Sequence, residues 1–145
     1  MAEGDVEAVA WLDAIVESIR AIHDLIIEIS GGLPGVHEDK LYSATARPFQ
    51  TAFGQRLYPT PLSQAAALMH GIITGHVFAD GNKRTATVVM VEYLAAAGAI
   101  DGPPSSLQTR MLGELAVEVA STKMDVDEVA DWIARILRLD AAAAC

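Results

Sequence analysis

"HVFADGNKRTATVVMVEYLAAAG", residues 76–98, decides how this chain reads. Its first nine positions hold a histidine, an aspartate, a glycine, an asparagine and two adjacent cations, Lys83 and Arg84. Beyond Arg84 the segment to residue 97 is apolar almost all round, with Glu92 its lone charge. That pattern predicts a helix over 82–97 that is central and buried, with Gly98 as its C-terminal stop. A dense polar turn on the start of a buried helix needs a reason.

The geometry of a helix start supplies one. Free backbone N–H groups there favour an anion, and Gly81 lets a ligand approach without a Cβ in the way. Lys83 and Arg84 would sit in the first turn, where the helix dipole disfavours cations unless something negative lies nearby. A phosphate group resolves that conflict. Asp80 offers a hard oxygen for Mg²⁺, the usual companion of nucleotide phosphates, and histidine, here His76, is the side-chain type suited to taking a proton near neutral pH. These parts suit phosphoryl or nucleotidyl transfer. Singly, each residue has an ordinary reading: Asp80-Gly81 as a turn, Asp80 or Asn82 as an N-cap, His76 as a structural histidine, Lys83 and Arg84 as a solvated edge. Their combination at this spacing favours chemistry.

Working outward, residues 5–29 place Val9, Leu12, Ile15, Val16, Ile19, Ile22 and Ile26 on one helical face, and "SGGLPG", residues 30–35, stops the helix. A weaker helix is expected over 38–46, ending before Pro48. Residues 47–61 read as irregular structure or a short hairpin, and 62–74 as a buried helix capped by Thr60 or Ser63. Two last helices are expected over about 106–120 and 126–138, the second behind Asp125 as N-cap. With no internal repeat or linker, residues 1–145 read as one all-α domain, with 140–145 as a disordered tail. Trp11 and Trp132 fall on apolar faces and read as core. His70 reads as a satisfied core histidine.

Composition narrows the class. The chain has 145 residues, 52% hydrophobic, and a formal net charge of −9, which argues against a general nucleic-acid binder. Residues 40–84 nevertheless carry five cations against one anion, Asp80, a local excess suited to a small anion. Cys145 is the lone cysteine, so no intramolecular disulfide is possible. The acidic N-terminus does not read as a secretory signal and no apolar run is long enough to span a bilayer, so a cytoplasmic protein with no membrane partner is expected.

"HVFADGNKR" resembles the signature of the Fic/Doc superfamily, and specifically its death-on-curing (Doc) branch. "HDLIIEISGGLPG" (23–35), "LYSATARPFQTAFGQRLYPT" (41–60) and "AAALMHGIITG" (65–75) resemble the family segments that lead into it. The resemblance implies that His76 is the general base for a hydroxyl on a protein target, Phe78 anchors the loop, Asp80 holds Mg²⁺, and Gly81, Asn82, Lys83 and Arg84 hold nucleotide phosphates. It also implies a toxin of a toxin–antitoxin pair that uses ATP to phosphorylate translation elongation factor Tu, arresting protein synthesis. The restraining partner would be an antitoxin whose C-terminal segment lies in a groove on the toxin. Lys83 stands where adenylylating Fic enzymes usually carry glycine, and Thr87 where they carry a second arginine, which favours γ-phosphate transfer over nucleotidyl transfer. Val77 replaces a common proline, and His37 and Tyr42 stand where relatives often have Arg and Glu. No glutamate has Ser or Thr four positions before it, so the self-inhibitory Ser/Thr-x-x-x-Glu pattern is missing.

Two rivals remain. His23-Asp24 raises a metal phosphohydrolase of the HD type, but no histidine precedes His23. An exposed His-Asp pair on a helix, with His23 helping to shape the site, is the plainer expectation. The other rival is a non-catalytic binding relative.

Overall fold

The computed structural model describes residues 3–139, with side chains from residue 9 onward. Six helices carry the fold: α1 (Glu3–Ser30), α2 (Glu38–Ala46), α3 (Pro61–Thr74), α4 (Asn82–Ala96), α5 (Ser106–Ser121) and α6 (Val126–Leu137). A 3-10 turn, Arg47–Phe49, follows α2, and the two-residue strands β1 (Thr51–Ala52) and β2 (Gln55–Arg56) pair antiparallel. The expected all-α class is what the chain adopts. The expectation of a tail over residues 140–145 lies outside the described residues.

α3 is the middle of the structure, packed against α2, α4, α5 and α6. Ala65, Ala66 and Ala67 are completely buried, and their small side chains let neighbouring helices approach closely. α4 lays Ala86, Val89, Met90 and Leu94 into the same core, while Val88 and Glu92 face solvent. This corrects the expectation of a central helix buried all round over 82–97: α3 holds the central place and α4 buries one face against it. Gln64 and Tyr93 bind α3 to α4: the Tyr93 hydroxyl donates to Gln64 Oε1 at 2.6 Å, and Gln64 Nε2 donates to the Tyr58 carbonyl. Burial pushes the Tyr93 hydroxyl above the usual phenol range.

Local chemistry sets most helix starts. Thr60/Ser63, Ser105/Gln108 and Asp125/Glu128 each form a reciprocal capping box, and His37 caps α2 by accepting from the Lys40 N–H through Nδ1. That cap is the structural use of His37. His70 is satisfied as expected: its Nδ1 accepts from the Arg47 guanidinium at 2.8 Å, so its Nε2 carries the hydrogen donated to the Met124 carbonyl at 3.0 Å.

The core placement of the two tryptophans is corrected as well. Trp11 is 51% exposed and Trp132 44% exposed, so neither is core. Trp11 instead meets the edge of Phe49 at 4.5 Å, and Trp132 lies under the Arg135 guanidinium at 5.3 Å. The reason is helix phase: the buried stripe of α6 runs through Val129, Ile133 and Ile136, leaving Trp132 at its margin.

Candidate functional site

The loop 76–81 joins α3 to α4, and α1 and the glycine turn after it enclose the loop from outside. Residues 35–37 run antiparallel to 77–79: the His37 N–H donates to the Val77 carbonyl at 2.8 Å and the Ala79 N–H to the Gly35 carbonyl at 3.0 Å. Across the turn's two ends, Arg20 grips Glu38 with both guanidinium arms, at 2.6 and 2.8 Å. The pairing holds the Glu38 carboxyl below its usual range.

Within the loop, Phe78 is buried and its ring lies flat against the imidazole of His23. His23 Nε2 is 2.8 Å from the Asp80 carbonyl. A carbonyl only accepts, so Nε2 carries the hydrogen. The expected exposed His-Asp pair is therefore half right in placement: Asp24 is exposed, whereas His23 is 3% exposed and supports the loop. The cause is its phase on α1, one heptad beyond Val16 and four residues beyond the fully buried Ile19.

Asn82 closes the loop. Its side chain accepts from the Phe78 N–H at 2.9 Å and donates to the Phe78 carbonyl at 2.8 Å. Asp80 points its carboxylate at the glycine turn: Oδ2 accepts from the Leu33 N–H at 3.2 Å and Oδ1 from the Gly81 N–H at 2.8 Å. Those two N–H groups, Leu33 foremost, hold the Asp80 carboxyl below the usual aspartate range, with smaller help from Arg84 and Lys83. Arg84 reaches the Gly31 carbonyl at 3.1 Å and lies 3.9 Å from Asp80 Oδ1. Lys83 is exposed, with no ion pair among the described residues.

The start of α4 differs from its neighbours. Its N-cap is Gly81 in the left-handed region (φ 80°), with no side chain to cap the first N–H groups, whereas α2, α3, α5 and α6 all have one. A β-carbon at Gly81 would meet Ile27 Cδ1 at 3.3 Å and Arg84 Nη2 at 3.5 Å. His76 is also left-handed (φ 49°), a position that costs a non-glycine residue about 1 kcal/mol, and its side chain is exposed. Thr87 donates back to the Lys83 carbonyl at 2.8 Å. Beside these residues runs a groove of about 470 Å³ between α1, α4 and α5, floored by Ile26, Val88 and Ala116 with Lys83 and Arg84 at one end.

Among the described residues, no group of three or more His, Cys, Asp or Glu could hold a metal alone. Asp80 is a single, partly accessible carboxylate, which fits Mg²⁺ carried on nucleotide phosphates and not a resident metal cage. The structure thus brings Phe78, Asp80, Gly81, Asn82 and Arg84 into one closed loop, with His76 and Lys83 at its open margins. His23, Gly31 and Leu33 are the supporting residues that sequence reasoning underused.

The molecule is thus a helical protein that hangs one closed loop, with His76 at its margin, on the uncapped start of α4. The family follows from comparison with known proteins: the Fic/DOC family model matches residues 11–94, and the chain belongs to that family. It is 33% identical over 94 residues to "Toxin Doc" of Mycolicibacterium smegmatis, covering 65% of this chain and 71% of that protein. It is 29% identical over 122 residues to "Protein kinase doc" of Escherichia phage P1, covering 83% and 91%.

Proposed function

We propose that this protein is a Doc-type toxin that transfers the γ-phosphate of ATP to a hydroxyl side chain of a protein target, with translation elongation factor Tu as the expected target. The observation that carries the reading is the uncapped start of α4, where two cations and an ionised carboxylate adjoin free N–H groups. The names of the two relatives, a toxin and a protein kinase, support it.

In this reading Lys83, Arg84 and the first N–H groups of α4 hold the phosphates. Asp80 would hold Mg²⁺, which supplies charge neutralisation on the phosphates when bound. His76 takes the proton from the target hydroxyl as its oxygen bonds to the γ-phosphorus; the bond from that phosphorus to the bridging oxygen breaks, and ADP leaves. Phe78, clamped between His23 and the core, keeps the loop in register. Asn82 acts through the same loop closure, besides any contact of its backbone with phosphate.

The groove beside Lys83 and Arg84 suits an antitoxin segment with apolar anchors and acidic flanks, which would cover the phosphate site. The test of the activity is labelling of a bacterial lysate with γ-labelled and, separately, α-labelled ATP, with His76→Ala as control. Label from γ-ATP alone, lost in the variant, is expected. Label from α-ATP would establish nucleotidyl transfer in its place, and ATP binding with no labelled product would establish a non-catalytic relative.

A further inference from the structure

α5 has a groove on each flank. Thr109, Gly113 and Ala116 face the groove beside Lys83 and Arg84, while Met111, Glu114, Leu115 and Glu118 line a second one against α6. At 100° per residue these two sets fall on opposite sides of the helix, with Val117 shared between the rims. The second groove holds about 580 Å³. It is not part of the loop-and-helix site described above.

We propose that the α5–α6 groove is a docking surface for a basic amphipathic helix of a partner protein, its apolar residues seated against Met111, Leu115 and Trp132 and its lysines or arginines facing Glu114 and Glu118. This inference is independent of the phosphotransfer reading. Its first support is unexplained apolar exposure: Trp132 is 44% exposed, Met111 37% and Val117 50%, all around one concavity. Tryptophan is among the residue types enriched at binding hot spots.

Charge selects the partner. The lining carries two carboxylates and no cation. Arg135, at the margin, lies 5.3 Å from the Trp132 ring centroid, so the ring already takes a cation on one side. Shape selects a helix: Met111, Glu114 and Glu118 mark successive turns of α5 over about 10 Å, which matches anchors at i, i+3 or i+4, and i+7 on the incoming chain. A second copy of this chain is disfavoured. A two-fold contact through this face would crowd the Glu114 and Glu118 carboxylates of both copies into one patch, and the exposed apolar residues of α1 are flanked by Asp13, Glu17, Asp24 and Glu28. An anionic membrane surface is repelled by the same carboxylates.

The test uses the full chain and two synthetic helical peptides of about 18 residues. Both carry leucines at i, i+3, i+4 and i+7; one is flanked by lysines and the other by glutamates. Calorimetric titration should show the lysine peptide binding at least about tenfold more tightly. The double variant Glu114→Lys/Glu118→Lys should reverse that preference. Asp13→Lys/Glu28→Lys, which changes net charge equally but elsewhere, should leave it intact. Trp132→Ala should weaken the lysine peptide with an unchanged circular dichroism spectrum, and the four charge substitutions, all at exposed positions, should leave the melting curve close to the parent's. Equal affinity for both peptides, binding to neither, or a preference that follows net charge wherever it is changed would overturn the proposal. So would concentration-dependent dimerisation abolished by Trp132→Ala, which would assign the groove to a second copy.

Discussion

The imidazole of His23 lies on the ring of Phe78 with centroids 3.8 Å apart and planes 7° from parallel, while its Nε2 donates to the carbonyl of Asp80. One side chain from the first helix thus fixes both the anchor and the carboxylate-bearing residue of the loop, 57 positions away in sequence for the hydrogen bond. Removing it should harm stability and site together. His23→Ala deletes a buried stack and leaves the Asp80 carbonyl without its donor, a combined loss on the order of 3 kcal/mol. Urea unfolding measures it. His23→Gln, which keeps an N–H donor, should recover part of the loss. Equal stability of the alanine variant and the parent would show that the stack contributes nothing.

The Asp80 carboxylate occupies the space that a side chain at position 32 would need. A β-carbon there would stand 2.7 Å from Oδ2, at a backbone φ of 125°. Gly31 is also left-handed (φ 81°) but a β-carbon would meet nothing within 4 Å. Both alanine variants should therefore lose about 1 kcal/mol to backbone strain, but only Gly32→Ala should move the carboxylate. Manganese binding in the presence of ATP, read by electron paramagnetic resonance, separates them: a loss of about tenfold or more is expected for Gly32→Ala and little for Gly31→Ala. Parallel losses would mean that the turn contributes only to folding.

How much of this was legible follows from which forces are local. The helices over 62–74, 82–97 and 126–138 declare themselves through apolar period, and the caps at Thr60 and Asp125 through side chains three residues from their partners. The loop residues 76–84 form one constellation for the same reason: their contacts lie within four residues, as Asn82 to Phe78 shows. The contacts that aim the loop are of another kind. Leu33 to Asp80, Arg84 to Gly31 and the pairing of 35–37 with 77–79 join segments more than 40 residues apart. Nothing in the periodicity of α1 tells a buried histidine from an exposed one except its phase, and that phase did point inward at His23. Trp132 is the opposite case. Its position one residue from Ile133 looks apolar in sequence, yet that is a rotation of 100° about the helix.

The depressed Asp80 carboxyl predicts an acid signature. Its folded pKa lies below the unfolded value, so its contribution to stability is present above the usual aspartate range and disappears as pH falls through the folded value. Asp80→Asn should be less stable than the parent at neutral pH, and the two melting temperatures should converge as the pH drops well below 4, the ordinary aspartate pKa being about 3.9. A constant offset across that range would mean that the loss in Asp80→Asn does not come from the carboxylate's charge.

Phe53 and Gly54 form the two-residue tip of the β1–β2 hairpin, both with positive φ, 53° and 76°. That is the type I′ turn that suits the twist of a hairpin, and asparagine followed by glycine is its preferred pair. Phe53 departs from that preference, and its ring is fully exposed at 105% of the reference area, so no burial compensates the conformation. Phe53→Asn should therefore raise stability by about 1 kcal/mol, because asparagine tolerates the left-handed region that costs phenylalanine about 1–2 kcal/mol. The change should appear in the urea midpoint with no change in the slope, since the surface exposed on unfolding barely alters. The hairpin's amide protons should also exchange more slowly, because the gain belongs to the turn. A midpoint that does not move would mean that the ring makes a stabilising contact in solution that offsets its backbone strain.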